Sequence, residues 1–353
     1  MRTEDFSYSL PPEAIAQAPA TRRDASQLVV VHRASRSVEF SLFQHLQNHF
    51  RPGDVLVANN SRVIPARLRA RKVEGGGHLE VLLLAPSPEG GWWVMLRPGK
   101  RVRPQTRIAV THPTHSIHAT VLDKAPDGRC RIAFDPNVDV LALAEECGEI
   151  PLPPYIQREA PQEVDRDRYQ TVYSAHPGSV AAPTAGLHFT PELLHRLQSN
   201  GIEFRTITLH VGLGTFAPVK VDRIEDHVMH AESYRVPAET ADAINRAKAE
   251  GRRIIAIGTT SLRVLESVAA AHHGRMAGGE GETRLFLYPP ARFQVVDALL
   301  TNFHLPRSTL LMLVSAFAAP GTTEGRTLIL ETYQQALARG LRFFSYGDAM
   351  LLL

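Results

Sequence analysis

Cysteine is scarce: two in 353 residues, Cys130 and Cys147, with no metal-like spacing. A disulfide framework and a thiolate metal site are both excluded, and free thiols in a cytoplasmic protein are the simplest expectation. No apolar run reaches the roughly 20 residues of a membrane span, and the longest, Ser308–Ala319, reads as a buried helix. The amino end has no basic-then-apolar leader, so no membrane partner is expected. No repeats are visible, and the full dinucleotide fingerprint is absent. Net charge is only +3, weak for a nucleic-acid binder taken as a whole. What is present is ordinary globular stock: 44% apolar and 21% charged residues over a length that suits two domains.

Polar residues gather at the ends of apolar runs. Thr190-Pro191 is a helix start, a hydroxyl cap followed by proline, and Leu193, Leu194 and Leu197 continue the helix to about Asn200. Just before it lies a loop of small residues holding Thr184, Gly186, His188 and Phe189, with His188 expected to project from it. Ile202–Val211 alternates as a strand carrying His210 near its end, and it runs into Gly212, Gly214, Thr215 and Phe216. Glycines there let a ligand approach the backbone, although a tight turn explains them as well. Arg253–Ile257 is a buried-strand pattern; the turn Gly258–Ser261, with Thr259 and Thr260, should precede a helix at 262–271 with Arg263 in its first turn. Free N–H groups at such a helix start suit an anion, and Arg263 suits a carboxylate or phosphate. Asn302 and His304 precede a helix start at Pro306, and Asp348 is placed at the end of a final strand. Single polar residues at element ends are usually caps, but five such ends exceed what capping needs.

Between Arg62 and Arg107, ten basic residues stand against three acids, a surplus of seven. Short alternating runs dominate: 66–72, 79–84, 92–96, 117–122 and 129–134. They read as a small all-β barrel of residues 62–150, closed by a helix at 138–147 and inserted into an α/β, barrel-like domain formed by residues 1–61 and 151–353. Trp92 and Trp93 are adjacent in a strand, so one should point inward and one outward.

Long strings also match a known family. They include Leu10–Gln17, Val55–Arg62, Ile150–Ile156, Arg168–Tyr173, Gly178–Thr190, His210–Phe216, Gly258–Arg263, Asn302–His304 and Tyr346–Asp348. Over its whole length the chain resembles the S-adenosylmethionine:tRNA ribosyltransferase-isomerases of queuosine biosynthesis. The resemblance implies transfer of the ribosyl part of S-adenosylmethionine onto 7-aminomethyl-7-deazaguanine at a tRNA wobble position. The sugar is rebuilt as an epoxycyclopentanediol, and adenine and methionine leave. S-adenosylmethionine is then a consumed substrate, with no further cofactor and no metal, so His227-x-x-His230-x-Glu232 is discounted as a metal site. A monomer is expected.

That chemistry needs a base near neutral pH, an acid for adenine, a carboxylate holder and aromatic surfaces. His188 and His210 are the acid/base candidates, with Asp348 orienting one of them or acting itself. Arg263 with Thr259 and Thr260 suits the carboxylate, while Phe189, Phe216 and Tyr234 suit the purine or sulfonium. The tRNA substrate turns the basic window into an expected phosphate-tracking face: Arg62, Arg67, Arg69, Arg71, Lys72, Arg97, Lys100, Arg101 and Arg103. Two other classes stay open, an RNA methyltransferase using S-adenosylmethionine and a non-catalytic RNA-binding protein.

Overall fold

A computed structural model describes residues 1–112, 114, 116–212 and 219–353. From the amino end, β1 (Gln27–His32) and β2 (Ser37–Leu42) form a hairpin, and β3 (Val55–Asn59) leads into the short β4 (Ser61–Val63). Six strands follow: β5 (Arg67–Lys72), β6 (His78–Pro86), β7 (Trp92–Arg97), β8 (Arg107–Val110), β9 (Ile117–Lys124) and β10 (Arg129–Phe134). They close into an antiparallel barrel in the order β10-β7-β6-β5-β8-β9. Period-two alternation dictates this: Leu68 and Ala70 face the barrel core while Arg69 and Arg71 stay exposed. Trp92 lies on the face of Val94 and packs against the core, whereas Trp93 points out beneath the Arg129 guanidinium, 5.3 Å from the ring centroid. Helix α1 (Val140–Cys147) is capped by Asp139 and packs Val140, Leu143 and Ala144 into the same core.

After α2 (Glu163–Arg168), β11 (His176–Ser179) pairs in parallel with β4. The remaining elements are α3 (Pro191–Ser199), β12 (Glu203–Leu209), β13 (Glu232–Val236), α4 (Ala238–Ala249), β14 (Ile254–Ile257), α5 (Gly258–Ala271), β15 (Gly279–Thr283), β16 (Ala298–Asn302), α6 (Thr309–Ala318), α7 (Gly325–Ala338) and β17 (Ala349–Leu352). The large sheet has nine strands in the order β15-β13-β12-β3-β14-β16-β17-β1-β2. Its central strands β3, β14, β16 and β17 are buried throughout, as continuous apolar runs require when both faces are covered. Alternate residues feed opposite layers. Val55, Val57, Ile254 and Ala256 meet Leu265, Leu313 and Ile329 on one face. Leu56, Ala58, Ile255 and Ile257 meet Phe43, Phe189 and Leu193 on the other.

The α/β class with an all-β barrel within the chain agrees with the sequence reading. The large sheet differs from the barrel-like shape expected of it: it has two edges, β15 and β2, and among the described residues only the six-stranded unit is closed. Three local expectations are corrected. Helix α5 begins at Gly258, so the expected turn is its first helical turn. Helix α6 begins at Thr309, because Ser308 caps it and Pro306 lies outside. Asp348 precedes β17 instead of ending it. Among the described residues no helix is long and apolar enough to cross a membrane.

Candidate active site

Strands β12, β3, β14 and β16 run parallel, so their carboxyl ends share one edge of the sheet. Strand β17 is antiparallel to β16 and parallel to β1, so both begin at that edge. His210, Asn60, Gly258, Asn302, Asp348 and Ser26 are thereby brought together from points scattered along the chain. Ligands in open α/β sheets sit at such an edge.

Across it lies a short 3-10 turn, Thr184–His188. His188 does not project from a loop as expected: it is buried, and its ring packs on Phe43 at 5.0 Å between centroids. Asn302 holds it in a polar chain. The Asn302 amide donates to His188 Nε2 at 3.1 Å, and its carbonyl oxygen accepts from Thr184 Oγ1 at 2.9 Å. An imidazole that accepts at Nε2 carries its proton on Nδ1, which donates to Ser26 Oγ at 2.7 Å. Ser26 in turn donates to the Arg23 carbonyl at 3.3 Å. Burial, with smaller contributions from the Arg342 and Arg23 charges, pushes the His188 pKa down to about 3, so the ring is neutral at pH 7.

His210 follows β12 and is half-buried. It borders a groove of about 510 Å³ shared with His176, Thr208, Tyr234, Glu280 and Glu282. Its backbone N–H donates to the Ser233 carbonyl at 3.1 Å, while its Nδ1 meets no hydrogen-bond partner among the described residues. Burial and the neighbouring His176 lower its pKa. Nδ1 itself is buried beside Gly178, where a side chain would stand 3.0 Å away, so His210 meets a ligand only where its neutral ring borders the groove.

Arg263 is not available to a ligand carboxylate through its paired nitrogens. It is buried, its Nη1 is paired with Glu232, and its Nε donates to the Leu285 carbonyl at 3.0 Å. Glu232 also accepts from the Gly212 N–H at 3.3 Å, so this pair ties α5 to β13 and the end of β12. Thr259 and Thr260 remain at the helix start, lining a small cavity with Thr184, Asn302, His304 and Ser345.

The other expected site residues divide. His304 is buried, bonded through Nε2 to Thr301 Oγ1 at 2.9 Å, and burial takes its pKa to about 3. Asp348 accepts from the backbone N–H groups of Gln27 at 2.9 Å and Arg342 at 2.7 Å, so its carboxylate organises the sheet edge. Phe189 is core, edge-on to Phe43 at 5.2 Å, and offers no face to a purine. At Gly186 a side chain would stand 2.1 Å from the Tyr173 hydroxyl, so the close approach there is by tyrosine rather than by ligand. Tyr234 is partly buried beside His210. Gly214, Thr215 and Phe216 lie outside the described residues. Ser26, Asn60, Tyr155 and Ser345 escaped the sequence reading. Asn60 and Tyr155 stood inside matched strings, but only their neighbours in space single them out.

On the barrel, Arg71, Arg97, Lys100, Arg101 and Arg103 are exposed, as is Arg62, which lies outside it on β4. Three others are engaged: Arg67 with Glu80 at 3.7 Å, Arg69 with Glu149 at 2.5 Å, and Lys72 with the Arg101 carbonyl at 3.2 Å. Arg67, Arg69 and Arg97 share with Arg158 and Arg166 a cleft of about 560 Å³ between barrel and sheet body.

Residues 3–352 match the model of a family described as queuosine biosynthesis protein. A Thermus thermophilus relative named S-adenosylmethionine:tRNA ribosyltransferase-isomerase is 52% identical over 99% of each chain. A relative of the same name from Heliobacterium modesticaldum is 49% identical over 99% of this chain and 98% of its own. The crystal structure of S-adenosylmethionine tRNA ribosyltransferase from Thermotoga maritima superposes with a TM-score of 0.55 at 39% identity, covering 99% of this chain and all of that one.

Proposed function

The chain belongs to the queuosine biosynthesis protein family, and on that premise we propose that it is an S-adenosylmethionine:tRNA ribosyltransferase-isomerase. It moves the ribosyl part of S-adenosylmethionine onto 7-aminomethyl-7-deazaguanine at a tRNA wobble position and releases adenine and methionine. S-adenosylmethionine is consumed, so the reaction calls for no separate cofactor, and the protein works as a cytoplasmic monomer.

The observation that carries this reading is the gathering of polar groups at one sheet edge. A sulfonium acidifies the hydrogens on the adjacent 5′ carbon. His210, whose neutral ring borders the groove, is the group that removes one. The sugar then opens, adenine departs and the aminomethyl nitrogen attacks. His188, neutral and fixed by Asn302 and Ser26, lies further along the same sheet edge and takes no charge. Tyr234 borders the His210 groove and supplies an aromatic face. The exposed arginines and lysines of the barrel track the tRNA backbone.

Product analysis from S-adenosylmethionine, substrate tRNA and purified protein tests the reading. Adenine plus methionine is the expected outcome. S-adenosylhomocysteine would make the protein a methyltransferase, and tRNA binding without turnover would make it a binding protein.

A further inference from the structure

Helix α5 opens directly from β14 at the sheet edge, and its cap position is Ile257, which has no side chain able to accept from the first turn. Fourteen residues of helix thus point an uncapped positive end outward. Gly258, at φ +86°, turns the chain there in a conformation that side chains resist. The Thr260 side chain stands over this start. Thr260 is only 9% exposed, it lines the cavity at the strand ends, and its Oγ1 has no hydrogen-bond partner among the described residues. A buried hydroxyl left unpaired is costly, so its position beside an uncapped helix start points to a ligand acceptor.

The size and charge of the cavity identify that acceptor. Its volume is about 40 Å³. One water occupies about 10–15 Å³ on this measure, so a carboxylate fits and a phosphodiester with its flanking sugars does not. Among the described residues no Lys, Arg, Asp or Glu lines it, and its histidine, His304, is neutral. A neutral cavity with a partial positive helix end suits a carboxylate that brings its own ammonium group.

We propose that the α5 start, with Thr260 as its side-chain donor, is the subsite for the amino-acid carboxylate of S-adenosylmethionine. The proposal rests on the reading above that S-adenosylmethionine is the substrate. It replaces the arginine clamp expected from the sequence with a helix end and a hydroxyl, because Arg263, tied through Nη1 to Glu232 and through Nε to the Leu285 carbonyl, does not line this cavity.

Calorimetric binding of S-adenosylmethionine and of decarboxylated S-adenosylmethionine, to the wild type and to Thr260→Val and Thr260→Ser, tests it. A hydrogen bond to a charged group supports about a tenfold effect or more. The wild type should prefer S-adenosylmethionine over the decarboxylated ligand by at least that factor. Thr260→Val should lose about tenfold on S-adenosylmethionine and nothing on the decarboxylated ligand, and Thr260→Ser should keep the wild-type preference. Equal affinity of the wild type for both ligands, or an equal loss on both in Thr260→Val, overturns the proposal. If Thr260→Val does not fold, the wild-type preference and the Thr260→Ser result decide. Inorganic phosphate displacing S-adenosylmethionine as well as free methionine does would assign the cavity to a phosphate and also overturn it. Failure of the wild type to bind S-adenosylmethionine at all would instead sink the proposed function.

Discussion

Between Arg62 and Val164 no polar or charged residue is buried as a whole among the described residues, though the His112 side chain beside Glu146 is only 7% exposed, whereas the sheet body buries His188, His304, Asn59, Asn302, Asp348, Thr260 and the Arg263–Glu232 pair. The barrel is apolar inside and charged outside, the simplest way to fold a small unit. In the sheet body the desolvation of polar groups is unfavourable and is offset only by a connected network. A region that carries little of that penalty presents a surface, and one that carries much of it holds groups in fixed geometry. Under the proposed function, this contrast is the reason for placing RNA contact on the barrel and chemistry at the sheet edge.

The sharpest way to break that assignment is at His210. His210→Ala should lower turnover by about 10²–10⁴-fold if the ring is the general base, with little loss of stability because it is only half-buried. Steady-state adenine release beside a thermal melt checks this, and near-normal turnover would remove His210 from the mechanism.

The barrel is tested by charge. Reversing the exposed Arg71, Lys100, Arg101 and Arg103 together to Glu should weaken tRNA binding by about 10²-fold or more. The slope of log affinity against log salt should fall by roughly one for each phosphate left unneutralised. Arg69 is left out because Glu149 already holds it at 2.5 Å. An unchanged salt slope in filter-binding titrations would return these residues to the role of a solvated surface.

His188 should behave unlike His210. Removing a buried ring with two hydrogen bonds leaves a cavity and unpaired partners, so His188→Ala should cost about 2–4 kcal/mol of stability as well as activity. Urea unfolding of the variant measures it, and a loss under about 1 kcal/mol would mean the ring is not built in as described.

A further effect is in pH. His188 and His304 bind protons in the unfolded chain below an ordinary value of 6.5 but in the fold only near 3. Between those values the unfolded state holds more protons, so stability falls as pH falls through that window. His304→Gln should flatten the decline, measured as unfolding free energy against pH.

Much of this was legible in the sequence because alternation and glycine punctuation are local. The barrel strands, the Thr190 cap of α3 and the buried α6 all follow from neighbours a few residues apart. Strand β8 was missed because four residues, Arg107–Val110, are too few to display a period. The burial of His188 depends on Ser26 and Asn302, 162 and 114 residues away, and no local pattern carries such a pairing. Likewise Arg263 looked like a free guanidinium because its partner Glu232 sits on β13, 31 residues away. The hydroxyls of Gly258–Ser261 read as a turn because such residues favour caps. The chain instead starts the helix early and leaves the cap vacant, and that departure from local preference marks the proposed anion subsite.

The most direct test of the division between barrel and sheet edge is a crystal structure with S-adenosylmethionine bound. The account predicts ligand at the strand ends, its amino-acid carboxylate at the start of α5 and its sulfonium facing His210. Ligand density in the larger cleft between barrel and body, lined by arginines and acids alike, with the strand ends empty, would contradict it.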